Sequence, residues 1–158
     1  MATHAPSAHQ GKSSAQPIAA GGPADRSDPA YQAFLILRTA FTIAPIVFGL
    51  DKFFDVLTDW DRYLSGPIDT LSPLSTHNTM LVVGVIEIVA GIVVWVHPKF
   101  GGWLVAAWLV GIIINLLLIP GFYDVGLRDF GLFLAAVALQ RLATRFDPHD
   151  LTWPISGK

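Results

Sequence analysis

Cysteine is absent from this 158-residue chain. That excludes a disulfide framework, thiolate metal sites, thiol catalysis and cysteine-ligated iron–sulfur clusters. Charge is scarce: Asp, Glu, Lys and Arg make up 14% of residues, where a soluble domain carries about 25%. The net charge of −2 carries no basic excess, so nucleic acid is not an expected partner. There is a single glutamate, Glu87. No Walker loop, dinucleotide fingerprint or HExxH sequence occurs, and no independent catalytic motif is evident. His77 and His97 flank one apolar run at its two ends, too far apart to share a haem, and no other histidine lies near an apolar run.

Hydrophobic residues are abundant, at 53% of the chain, and mean hydropathy is +0.53. They fall into runs of membrane length. Residues 31–50 (YQAFLILRTAFTIAPIVFGL) span a ~30 Å hydrocarbon core at ~1.5 Å per residue. Asp28–Pro29 in front supplies a helix-start signal, and Pro45 lies within the run as a candidate kink. Residues 79–96 form a second run, with Thr76 or Asn78 as cap and His97–Pro98 as stop. Residues 101–119 form a third, without charge. Residues 126–142 form a fourth and weaker one, whose uninterrupted apolar core, 130–139, is about half a span. Arg128, Asp129, Gln140 and Arg141 at its ends then lie near the headgroups.

Between the first two runs, Phe53, Leu57, Trp60 and Leu64 recur at helical spacing among aspartates, which predicts an amphipathic helix at the membrane surface or a helical continuation of the first span. The expected fold is therefore all-α: an integral membrane four-helix bundle with an extra amphipathic interfacial helix after the first span. Residues 1–28, rich in Ala, Ser, Gly and Pro, read as a disordered tail and not a secretory signal, with His4 and His9 as solvated side chains. Residues 29–146 hold the spans, and 147–158 form a second tail.

With both termini on one side, that side holds Lys12, Arg26, Lys99, Arg141, Arg145 and Lys158, and the other holds Lys52, Arg62 and Arg128. The excess places the termini in the cytoplasm of a bacterium-like cell, with the chain in its inner membrane.

Charges within lipid cost about 2.5–3.5 kcal/mol each on insertion scales, so intramembrane ionisable groups are expected to pair. Arg38 and Glu87 lie at similar depth when each span is measured from its cytoplasmic end, which predicts an ion pair between them. That pair either fixes helix register or marks a proton or ligand site. Gly84 and Gly91 lie on the Glu87 face and permit close helix approach. Asp51, Lys52, Asn115, Arg128 and Asp129 form a second polar cluster toward the outer side, either the mouth of a quinone-headgroup site or ordinary interfacial pairing.

The segments FGLDKFFDVLTDW and VVGVIEIVAGIVVW resemble the DoxX family of small bacterial membrane proteins. The family's Gly-x-x-Lys-Phe end to the first helix matches Gly49, Lys52 and Phe53, and its Gly-x-x-Glu-x-x-x-Gly second helix matches Gly84, Glu87 and Gly91. The resemblance covers about residues 33–142. It implies a four-helix layout and a role as accessory or anchoring subunit of a quinone-linked redox or oxidative-stress complex. Quinone is the implied cofactor, with none held by ligands of the chain's own. A small carrier binding a proton or cation at Glu87 is the alternative.

Overall fold

A computed structural model describes residues 26–147. The expected tails at 1–28 and 147–158, His4 and His9 included, lie almost wholly outside the described residues. The described chain is all-helical, without strands. Its elements are α1 (Pro29–Asp51), a 3-10 turn (Trp60–Tyr63), α2 (Gly66–Leu71), α3 (Thr76–Val96), α4 (Pro98–Leu117) and α5 (Tyr123–Phe146).

Local chemistry explains the boundaries. Asp28 caps α1, its Oδ1 accepting from the Ala30 N–H at 2.9 Å, and Pro29 takes the first helical position. The helix continues through Pro45 to Asp51. Ser75 caps α3, its Oγ accepting from the Asn78 N–H at 3.3 Å, so the cap falls just ahead of the two candidates Thr76 and Asn78. His97 alone separates α3 from α4, because Pro98 opens the next helix at once. Gly121, at φ +92°, provides the left-handed turn between α4 and α5.

Among the described residues, three helices are long and apolar enough to cross a membrane: α1, α3 and α4. The fourth long helix, α5, is longer still, but Asp124, Arg128, Asp129, Arg141 and Arg145 break its apolar character. These four pack in a closed order, α1 on α3, α3 on α4, α4 on α5 and α5 back on α1. Their core is built largely from small and medium side chains: Ala90, Val94, Val105, Ala106, Ala136 and Ala143 pack with Phe34, Phe41, Leu109 and Leu139. Large apolar residues, Ile36, Ile43, Val89, Trp95, Trp103 and Leu134 among them, face outward. Small residues inside and large ones outside is the distribution of helices in lipid, where close backbone approach drives packing and outward apolar groups cost nothing.

The segment after α1 departs from expectation. Residues 52–65 do not form an amphipathic helix; they run as an irregular loop with one 3-10 turn. The cause is Asp51. Its carboxylate accepts from the N–H groups of Val56 and Leu57 at 3.1 Å each and from Trp60 Nε1 at 2.7 Å. Backbone groups that a helix needs are thereby bonded to a side chain. Asp55 adopts φ +49°, a left-handed conformation that interrupts any helix.

Candidate functional site

Glycine sets the register of α1 against α3. A Cβ on Gly84 would lie 2.6 Å from the Gly49 carbonyl oxygen, and one on Gly91 would lie 2.7 Å from that of Thr42. Only glycine permits backbones this close. The contact puts the end of α1 beside Gly84, and Lys52 then lies within reach of Glu87, about one helical turn further along α3.

Lys52 Nζ and Glu87 Oε2 form an ion pair at 2.6 Å. The two side chains are 3% and 11% exposed. Above the ammonium, the Trp60 ring centroid lies 3.7 Å from Nζ, a cation–π contact. The same indole donates its N–H to Asp51, so one tryptophan ring covers the cation and its edge binds the neighbouring anion. Adjacent residues thus send opposite charges in opposite directions, Lys52 into the helices and Asp51 into the loop. From α4, the Trp108 N–H is buried close to Glu87 but outside hydrogen-bond geometry. Asp129 on α5 is half-buried and near enough to Glu87 for the two carboxylates to interact.

The expected Arg38–Glu87 pair does not form. Arg38 donates instead to the backbone carbonyl of Trp95, and its guanidinium carbon lies 4.9 Å from the Trp95 ring centroid. The physical reason is register. Equal depth from each span's end assumed level helices, whereas the glycine contacts shift α1 along α3 until Arg38 sits opposite the last turn of α3. There it binds a carbonyl that has no partner within the helix, at the negative end of the helix dipole.

The outer cluster is only partly assembled. Lys52 joins Glu87, and Asp51 organises the loop. Asn115 pins that loop from α4: its Oδ1 accepts from the Ser65 N–H at 2.9 Å, and its Nδ2 donates to the Tyr63 carbonyl at 2.5 Å. Asp129 is half-buried. Arg128 does not take part; it is exposed and lies 3.6 Å from Asp124 one turn earlier. Gln140, expected near the headgroups, is 5% exposed and packs over Gly102.

Sequence reasoning missed Trp60 and Trp108 as parts of the site. The available signal was the glycine spacing: Gly49, Gly84 and Gly91 fix a register in which Lys52, not Arg38, reaches Glu87. Comparison with protein-family profiles, curated proteins and solved structures finds no match for the chain.

Proposed function

We propose that this chain is an integral membrane protein of four spans, with α5 as the fourth, that serves as an accessory or anchoring subunit of a quinone-linked redox complex in a bacterial cytoplasmic membrane. The observation that carries this reading is how Asp51, Lys52, Glu87 and Asn115 are paired within the site. Lys52 neutralises Glu87, Asp51 and Asn115 hold the loop, and the loop turns Phe54, Val56 and Leu57 outward, each more than half exposed. A buried ion pair under an apolar, exposed loop suits a scaffold that presents a surface. Most charges of α5 lie near its two ends, as a spanning helix requires. The resemblance of the Gly49–Phe53 and Gly84–Gly91 segments to DoxX proteins points the same way.

Purification from native membranes in mild detergent tests the role. The expected result is a stoichiometric redox partner with quinone-dependent turnover, lost when Phe54, Val56 and Leu57 are changed to serine. A chain that purifies alone, with no quinone-dependent activity, overturns it. The chain's lack of cysteine makes the topology testable too: single cysteines replacing Ser27 and Asp147 are expected to be labelled from the cytoplasmic side, and one replacing Thr58 from the other.

The proximity of Glu87, Lys52 and Asp129 favours a second reading, a proton- or cation-coupled carrier using Glu87. Reconstituted Glu87→Gln separates the two. A carrier loses transport and keeps its fold.

A further inference from the structure

Lys52 is held between two groups that belong to different parts of the molecule. Below it is Glu87, in the middle of α3; above it is the Trp60 ring, in the loop. The loop's own hydrogen bonds pass through the same tryptophan. Trp60 binds Asp51, and Asp51 binds the N–H groups of Val56 and Leu57, residues that are 79% and 59% exposed. An unbroken series of contacts therefore runs from Glu87 through Lys52, Trp60 and Asp51 to the apolar tip of the loop.

We infer that Lys52 is a charge-sensitive joint, and that protonation of Glu87 loosens the loop 53–60 and frees its apolar tip. The proton comes from the aqueous side and binds a Glu87 oxygen, and Lys52 keeps its own. Without the carboxylate charge, the ammonium is no longer fixed beneath the Trp60 ring, because its strongest partner has become neutral. The ring then loses the cation that seats it, and the Asp51–Trp60 bond loses its support. The charged groups near Glu87 are Lys52 at the end of α1 and Asp129 on α5; α4 contributes the Trp108 N–H; Asp51 faces the loop. This inference names the regulation of the surface assigned to partner docking above, and its purpose rests on that reading. Its test involves no partner, so failure of one does not imply failure of the other.

Amide hydrogen exchange on the full chain in lipid nanodiscs reads the effect. In Glu87→Gln, the Val56 and Leu57 amides are expected to exchange about five- to tenfold faster, the range expected for losing one partly desolvated cation–π contact. Amides in the middle of α3 and α4 are expected to keep their protection, and Arg38→Met is expected to leave the loop unchanged. If Glu87→Gln does not fold, the neutral double variant Lys52→Gln with Glu87→Gln carries the same expectation. In a Trp60→Phe background, which cuts the bond to Asp51, the loop is expected to exchange fast already and Glu87→Gln to add little. Unchanged loop exchange in Glu87→Gln overturns the inference. So does an equal acceleration with and without the Trp60 N–H, or one that spreads equally through the helices.

Discussion

The two ends of the helical body are held in different ways. At the end where α1 begins and α5 finishes, the only connection among the described residues is His97, and the fastenings include the Asp28 cap, the Arg38 bond to the Trp95 carbonyl and the exposed Asp28–Arg145 pair. At the opposite end, residues 52–75 separate α1 from α3, and the fastenings are buried or half-buried: Lys52–Glu87, Asp51–Trp60, and Asn115 on the Tyr63–Ser65 backbone. A one-residue connection between consecutive helices constrains itself, because Pro98 permits almost nothing but a new helix. A long connection does not, so side chains projecting from the helices must hold it.

The largest effect is expected at the buried pair. Lys52→Met alone strands a carboxylate and is expected to cost about 3–5 kcal/mol, with Glu87→Leu similar. The double variant Lys52→Met with Glu87→Leu is expected to recover most of that loss, because neither charge then remains buried. Thermal unfolding in detergent measures all three. If the double variant is as unstable as the singles, the pair does more than balance charge. Arg38→Met with Glu87→Leu, by contrast, is expected to show no such recovery.

Asn115→Leu comes next. It removes two hydrogen bonds and leaves the Ser65 N–H and the Tyr63 carbonyl without their partner, at a cost of about 1–3 kcal/mol. Proteolysis between residues 53 and 65 is expected to accelerate while the helices stay intact. Should the loop remain protected, the Asp51 network holds it unaided.

Much of this architecture was legible in the residues. The runs at 31–50, 79–96 and 101–119 lie largely within α1, α3 and α4, because twenty apolar residues with few charges are a one-dimensional signal. Asp28–Pro29 and His97–Pro98 gave their boundaries, because caps and proline act locally. Pairing was not local. Arg38 and Glu87 looked matched by depth, yet the offset between α1 and α3 depends on which backbones can touch, and Gly49 against Gly84 decides that in three dimensions. The loop was misread for a similar reason: Phe53, Leu57, Trp60 and Leu64 keep a helical period, but the period says nothing of Asp51 reaching forward to claim the N–H groups of Val56 and Leu57.

The smaller effects belong to the end with the short connection, and they sharpen the contrast. Arg38→Met removes a hydrogen bond and a favourable charge at the end of α3, expected to cost about 1 kcal/mol. The Asp28–Arg145 pair, at 3.1 Å, joins the start of α1 to the end of α5 with the arginine side chain 54% exposed. Solvent screens such a pair, so Arg145→Gln is expected to cost about 0.2–1 kcal/mol and to matter less as salt rises. Asp28 has a second task, since its other oxygen caps α1, and two substitutions separate the tasks. Asp28→Asn keeps a capping oxygen and loses the charge, so it is expected to match Arg145→Gln in thermal unfolding. Asp28→Ala loses both, and the missing cap adds about 0.5–2 kcal/mol. If Asp28→Asn proves as costly as Asp28→Ala, the ion pair rather than the cap fastens this end, and the contrast with the buried network at the other end narrows.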